Sequence, residues 1–389
     1  MDRRNFLAGS TLALTSAGAL AAEAPQVDEG SAASASLPVP AGIPSEVKDI
    51  APLASLNDLE GMAKAVMSAG AFVHVAHGAG NEWTFHENFR SIERVQIKPA
   101  YLSQNTKPEL GIKLLGSSLQ LPLYTCPMGS HGIVHASAEE GTSRGTGESG
   151  ALMMLSTAAN RTVEAVASVN NGPKWLQLYI TPDQAMNQTV IRQAKVAGYT
   201  AIVISVDAPA AGVADDVIRL GFKFPPLPKP YLARGIKSGL GWSDIEMVMR
   251  ESNLPVLLKG VLTPELADEA MKRGLAGVVV SNHGGRQIDG LPGSMDALPA
   301  VVKAVKGRGV VLVDGGFRRG ADVFRALASG ADAVGIGRPV LFGLAVGGWK
   351  GVHSAYARLA QELAFTMNVA GASRISDITS KFVMKPQSA

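Results

Sequence analysis

The sequence predicts a (β/α)8 TIM barrel, an α/β fold of eight parallel strands ringed by helices. Two observations predict it. Eight short apolar runs follow one another at 121–126, 152–155, 175–180, 201–206, 256–258, 277–280, 310–313 and 333–336. Helical stretches separate several of them, at 162–169, 182–197, 264–273, 295–305 and 320–329. Runs that are apolar along their whole length mark strands buried on both faces, the pattern of a parallel sheet. A doubly wound sheet is the rival reading, but eight βα units favour the barrel.

Composition is consistent with this. The 389 residues suit two average domains, yet barrels of ~250 residues or more are commonly one. Charged residues are 18% of the chain, below the usual ~25%, and the 43 glycines exceed the usual ~7%. Disorder and a coiled coil are thereby excluded, and a compact fold with many tight turns is favoured. A net charge of +3 is too balanced for a nucleic-acid binder, which concentrates basic residues on one face. The single cysteine, Cys126, excludes an intrachain disulfide framework and a cysteine-rich metal site. No metal site is expected.

From the N-terminus, Arg3-Arg4 precede Asn5-Phe6-Leu7 and an uncharged stretch that ends in Ala19-Leu20-Ala21, an A-x-A cleavage pattern. Gly, Ser and Thr dilute the stretch too far for a membrane span. It resembles a twin-arginine export signal cut near Ala21, which implies a periplasmic protein. Residues 22–45, rich in Ala, Ser and Pro, read as a flexible linker. Residues 46–389 are then the barrel domain. Helical periodicity over 56–69 predicts an N-terminal helical extension. A long interruption at 208–242 follows the fourth strand and reads as a lid or surface loop, not a second domain.

Barrel active sites lie at the C-terminal ends of the strands. Polar or ionisable residues end nearly every run. They are Pro127-Met128-Gly129, Ser156, Gln177 with Tyr179, Ser205 with Asp207, Lys259, Ser281-Asn282-His283, Asp314-Gly315-Gly316 and Gly337-Arg338. Glycines after the last two strands let backbone amides approach a phosphate, and Arg318 and Arg338 add charged donors. A strand-end His283 suits a general base, because an imidazole ordinarily titrates near ~6.5. Arg286 suits a carboxylate, and Asp207 suits orienting His283.

The chain resembles the FMN-dependent α-hydroxy-acid oxidases and dehydrogenases from about residue 76 onward. Gly78-Ala79-Gly80-Asn81-Glu82-Trp83-Thr84, Gln177-Leu178-Tyr179, Leu258-Lys259-Gly260-Val261, the stretch Ser281–Gln287, Asp314–Gly320 and Gly337–Gly343 carry the resemblance in the family's order. It implies FMN held at its phosphate by Gly315, Gly316, Arg318, Gly337 and Arg338, and at its ribityl chain by Asp314. Pro127, Met128, Gly129, Ser156, Gln177 and Ser205 would line the ring, with Ser281 also at the cofactor and Lys259 beside N1 and C2=O. It further implies His283 as the base that takes the substrate hydroxyl proton as hydride leaves for flavin N5. Asp207 would support the base, Tyr179 would bond the reacting oxygen, and Arg286 would pair with the carboxylate. A homotetramer is implied too. The electron acceptor is expected to be O2 or a periplasmic or membrane-linked carrier, and no nucleic acid is expected.

The chain departs from the pattern at two clamp positions. His74 stands where the family carries a tyrosine, and Ala214 where it carries a second arginine. Each lost charge-assisted bond costs ~1.5–3 kcal/mol. His74, Arg219 or Lys223 is the expected compensator. Ala158 replaces a large aromatic, and Gly129 an alanine common in oxidases, so room above the flavin is expected. The expected substrate is a 2-hydroxy acid, or a related hydroxy compound, bulkier than lactate or glycolate. Two alternatives stay open: a different FMN-barrel oxidoreductase, and a flavin-binding protein with lost or altered catalysis.

Overall fold

The computed structural model describes residues 40, 42–102, 107–209, 212, 214–232 and 235–384. The export-signal reading falls on residues outside these, as does most of the linker. The end of that linker is docked: Ala136 N donates to Pro44 O at 2.8 Å.

Eight parallel strands close a barrel: β3 (Leu123–Thr125), β4 (Leu152–Ser156), β5 (Lys174–Leu178), β6 (Ile202–Ser205), β7 (Val256–Lys259), β8 (Gly277–Val280), β9 (Val310–Asp314) and β10 (Ala333–Ile336). Each lies on or within a residue or so of an apolar run, because only the two-sided burial of a parallel strand suits such a run. Alternation along each strand splits the core in two. Tyr124, Met154, Trp175, Val203, Val279 and Leu312 fill the barrel interior. Ile202, Ile204, Val278 and Val280 pack outward against helices. Gly335 in β10 serves this interior, since a Cβ there would lie 2.5 Å from the Tyr124 ring.

Before the barrel come α1 (Asp58–Val66), α2 (Ala69–Ala76), α3 (Trp83–Glu93) and a hairpin of β1 (Ile112–Leu114) and β2 (Ser117–Leu119). The helix expected over 56–69 is α1, which ends at Val66. Met67 is extended, and the Ser68 hydroxyl accepts from Ala71 N to cap α2. Leu114 and Leu119 join the interior cluster, so the hairpin packs on the barrel core.

The outer helices are α4 (Ala138–Glu148), α5 (Val163–Ser168), α6 (Gln184–Val196), α7 (Asp215–Arg219), α8 (Trp242–Ser252), α9 (Pro264–Lys272), α10 (Ser294–Val305), α11 (Gly320–Ala328), α12 (Arg338–Gly347) and α13 (Trp349–Ala370). Local capping fixes their starts: Thr162, Asp183 and Thr263 side chains accept from the amides of Ala165, Met186 and Leu266. Gly320 opens α11 against α13, where a Cβ would lie 2.1 Å from Leu363 N. The long β6–α8 connection contains α7. Asn160 Nδ2 ties it down through Pro228 O at 2.9 Å, and Tyr231 OH through Val163 N at 2.9 Å.

Candidate active site

Strand register builds the rim at the C-terminal end of the barrel. Ser156 pairs with Gln177 and Ser205 with Lys259, so these four polar residues share one end of the sheet. Above them opens a cavity of about 310 Å³. Of the residues singled out from sequence, Pro127, Met128, Gly129, Tyr179, Lys259, His283, Arg286, His74, Asp314, Gly315, Gly316, Arg318, Gly337 and Arg338 line it. Ser156, Gln177, Ser205, Asp207 and Ser281 are not among the lining residues and stand behind that wall. Ser156 Oγ donates to Gln177 Oε1 at 2.5 Å.

A hydrogen-bonded chain crosses the floor. Lys259 Nζ donates to Ser281 Oγ at 2.7 Å, and Ser281 Oγ donates to Asp314 Oδ1 at 2.6 Å. Lys259 Nζ and Asp314 Oδ2 form a buried ion pair at 3.5 Å. Burial works against the Lys259 ammonium, but the carboxylates of Asp314 and Asp207 outweigh it and hold its pKa above the usual value. For Asp207, burial favours the neutral acid, while Lys259 and then His283 outweigh it and hold its pKa below the usual value.

His283 sits at the wall. Its Nδ1 lies 3.2 Å from Asp207 Oδ2 and its Nε2 lies 3.2 Å from Tyr179 OH. Its backbone is left-handed (φ 59°), and its amide donates to Ser281 Oγ at 3.0 Å. The strand end thus turns sharply enough to bring the ring to Asp207. Burial first of all pushes the Tyr179 hydroxyl up to about 12, so it stays protonated and can donate.

Arg286 is held by the N-terminal extension. Its Nη1 donates to His74 O at 2.6 Å and His77 O at 3.1 Å. Its Nη2 lies 3.4 Å from His74 Nε2. Burial, then Arg286, Lys229 and Arg338, push the His74 imidazole down to about 3. His74 is therefore neutral at neutral pH and replaces no cation. The sign of its effect on stability follows. The unfolded ring binds a proton near ~6.5 and the folded ring does not, so stability falls as pH drops below that value, by up to ~1.4 kcal/mol per pH unit. His74→Phe is expected to flatten this slope between pH 7 and 5 in urea unfolding. Equal slopes would remove His74 from the account.

Two of the expected compensators lie elsewhere. Arg219 is exposed and pairs with Asp216 at 2.5 Å and Asp215 at 3.5 Å. Lys223 is exposed and is not among the cavity-lining residues. Ala214 is buried at the start of α7 and does not line the cavity either. Besides Lys259, Lys229 lines it; the sequence reading missed this residue, because an exposed lysine in a proline-rich loop carries no local signal. Gly129 also has a role other than the expected one. A Cβ there would lie 2.7 Å from Ala158 Cβ and 2.9 Å from Ala158 O, so the glycine permits close packing with Ala158. Cys126 lines the floor, and burial pushes its thiol pKa well above the usual value.

The other end of the cavity is built for an anion. Gly315 (φ 108°) and Gly316 (φ 88°) take left-handed backbone that favours glycine. Arg318 Nη1 donates to Phe317 O at 3.1 Å. Arg338 donates to Val75 O, Gly284 O and His77 O at 2.9, 3.0 and 2.9 Å. Burial pushes Arg318 down to about 10 and Arg338 well below the usual value. Neither pairs with a carboxylate among the described residues. The amides of Arg318 and Arg319 are already taken by Asp322 Oδ2, at 3.0 and 2.9 Å. An anion here would therefore meet the two guanidinium groups before the N-terminus of α11. Buried cations without a counter-ion are costly, and a bound phosphate removes the cost. Gln177 Nε2 and Ser205 Oγ are likewise buried without a hydrogen-bond partner among the described residues, as a polar ring edge would require. These residues fit FMN.

Residues 63–385 match the model of a family described as FMN-dependent dehydrogenase. The chain belongs to the FMN-dependent dehydrogenase family. This FMN-dependent oxidoreductase is 38% identical over 343 residues to an L-lactate oxidase of Lactobacillus jensenii, covering 84% of each chain. Its structure resembles that of a lactate oxidase of Pediococcus acidilactici, with a TM-score of 0.83, 37% identity and coverage of 86% and 95% of the two chains. A mandelate oxidase structure with (S)-2-phenylpropionate matches with a TM-score of 0.81 at 35% identity, over 84% of this chain and 97% of that one. The barrel fold and the FMN dependence expected from the motifs are thus borne out.

Proposed function

We propose that this flavoenzyme oxidises a 2-hydroxy acid with a bulky apolar substituent to the 2-oxo acid, with His283 as base. The observation that carries the reading is the placement of His283, Tyr179 and Arg286 around one cavity, with Asp207 behind His283. With the Nδ1 proton donated to Asp207, His283 Nε2 presents its lone pair to the cavity. There it takes the substrate hydroxyl proton, and the Asp207 carboxylate stabilises the imidazolium that forms. The Tyr179 hydroxyl donates to the same reacting oxygen. Arg286 holds the carboxylate, with its fork oriented by the carbonyls of His74 and His77. Lys259 keeps a fixed positive charge on the cavity floor. When bound, FMN supplies the acceptor for the hydride that leaves the α-carbon. Gly315, Gly316, Gly337, Arg318 and Arg338 hold its phosphate, Asp314 and Ser281 its ribityl side, and Pro127, Met128, Gly129, Ser156, Gln177 and Ser205 its ring.

The bulk of the substrate is read from Met128, Ala158, Val217, Phe224, Leu232 and Ile236, which give the cavity an apolar wall. An anaerobic panel running from glycolate and L-lactate to aryl and branched 2-hydroxy acids tests this. The flavin band is expected to bleach fastest with the larger acids. Efficient reduction by glycolate or L-lactate, with no gain for larger acids, overturns the size assignment.

Arg3-Arg4 and the stretch ending at Ala21 support twin-arginine export to the periplasm. Residues 22–45 then serve as the linker and 46–389 as the barrel domain. The resemblance to the family supports a homotetramer. The acceptor that reoxidises the enzyme is O2 or a periplasmic or membrane-linked carrier.

A further inference from the structure

We infer that Lys229 is a specificity-determining residue that draws the substrate's carboxylate into the cavity together with Arg286. The inference rests on the hydroxy-acid reading above and goes beyond it, because it assigns the second cationic contact to a residue of the long β6–α8 connection. Three observations carry it. Lys229 lines the same cavity as Arg286, His74 and His283. Its ammonium lies 5.4 Å from the centre of the Phe224 ring, and that ring meets the His74 ring edge-on at 4.8 Å. Lys229 therefore stands at the outer end of a stack that leads through Phe224 and His74 to the Arg286 guanidinium. No carboxylate among the described residues pairs with Lys229, so its ammonium, set against the Phe224 ring, has no anionic partner among them.

Arg286 alone is an incomplete clamp. One of its terminal nitrogens is already committed to two backbone carbonyls, and the other faces the neutral His74 ring. A carboxylate bound there meets one guanidinium nitrogen, since the neighbouring Arg338 is committed to three backbone carbonyls. A flexible ammonium on a tethered loop supplies the missing charge as a point charge, without the fixed fork of an arginine. Because Phe224 and His74 stand between it and Arg286, it acts on affinity and entry more than on the proton transfer.

The test uses the FMN-loaded enzyme with Lys229→Met and Lys229→Arg. Lys229 is exposed, so both variants are expected to fold and to keep FMN. Oxalate, a dianion with no α-hydrogen to lose, serves as the binding probe in isothermal titration calorimetry at low and high salt. Lys229→Met is expected to weaken oxalate binding about tenfold and to lose much of its salt dependence. Lys229→Arg is expected to restore both. With 2-hydroxy acids, KM rises in the methionine variant while the limiting rate of flavin reduction stays within about twofold. The matching 2-hydroxy amides show no such rise. Oxalate affinity within twofold of wild type in Lys229→Met, or an equal KM change for acids and amides, overturns the assignment. Failure of every 2-hydroxy acid to reduce wild-type flavin overturns the parent reading instead, and the oxalate titration still decides whether Lys229 holds an anion.

Discussion

His283→Asn is expected to keep its FMN and to lose substrate-driven flavin reduction by about 10²–10⁴-fold, the usual contribution of a positioned base. Asparagine suits this position on backbone grounds, since the left-handed conformation at φ 59° is one it tolerates better than most residues. Its side-chain amide can still donate to Asp207, so the carboxylate is not stranded. What it lacks is a basic nitrogen facing the cavity beside Tyr179. Anaerobic stopped-flow reduction, read at the flavin band, measures the loss. Reduction as fast as in wild type would show that the proton goes elsewhere. Retained yellow colour separates loss of chemistry from loss of cofactor.

Lys259→Met is expected to cost the fold about 3–5 kcal/mol, the usual penalty for removing one partner of a buried charge cluster. Methionine fills the volume of the stem but leaves Asp314 and Asp207 without their cation. The pH dependence has a definite sign. Lys259 contributes its stability at every pH below its ordinary ~10.4, because its folded pKa is raised. Asp207 has a depressed folded pKa, so its contribution is present above ~3.9 and is lost as pH falls through the folded value. Without Lys259, Asp207 takes up a proton at a higher pH. The deficit of the variant should therefore be full at pH 7 and smaller near pH 4. Urea unfolding of both proteins at the two pH values checks this, and an equal deficit at both would remove Asp207 from the explanation.

Local pattern revealed the strands. A run such as 277–280 is apolar throughout and has one stable use, so its position and its strand-end residues followed together. His283, Arg286 and the Gly315-Gly316 turn were legible because their chemistry needs those residue types at a strand end. The clamp was less legible. Arg219 and Lys223 are charged and close in sequence to Ala214, but α7 points Arg219 at its own acidic residues, Asp215 and Asp216. Lys229 was invisible because only the docking of its loop through Asn160 and Tyr231 brings it to the cavity. The acceptors that orient Arg286 are main-chain carbonyls, which no side-chain pattern can announce. Gly129 misled for a related reason, since the direction of a missing Cβ is a property of the fold.

The bonds from Arg286 and Arg338 to the carbonyls of residues 74, 75 and 77 span 209 to 263 positions of the chain. They are among the least local contacts in the molecule, and closing such loops is entropically late. During synthesis these carbonyls emerge long before the guanidinium groups that need them. The barrel can gather strand by strand, but the cradle that joins α2 to the ends of β8 and β10 is finished only when the final βα unit arrives. A complete anion end then waits on that last unit, and a chain cut short before Arg338 keeps Arg318 and the Gly315-Gly316 turn but lacks the second guanidinium that ties the phosphate end to α2.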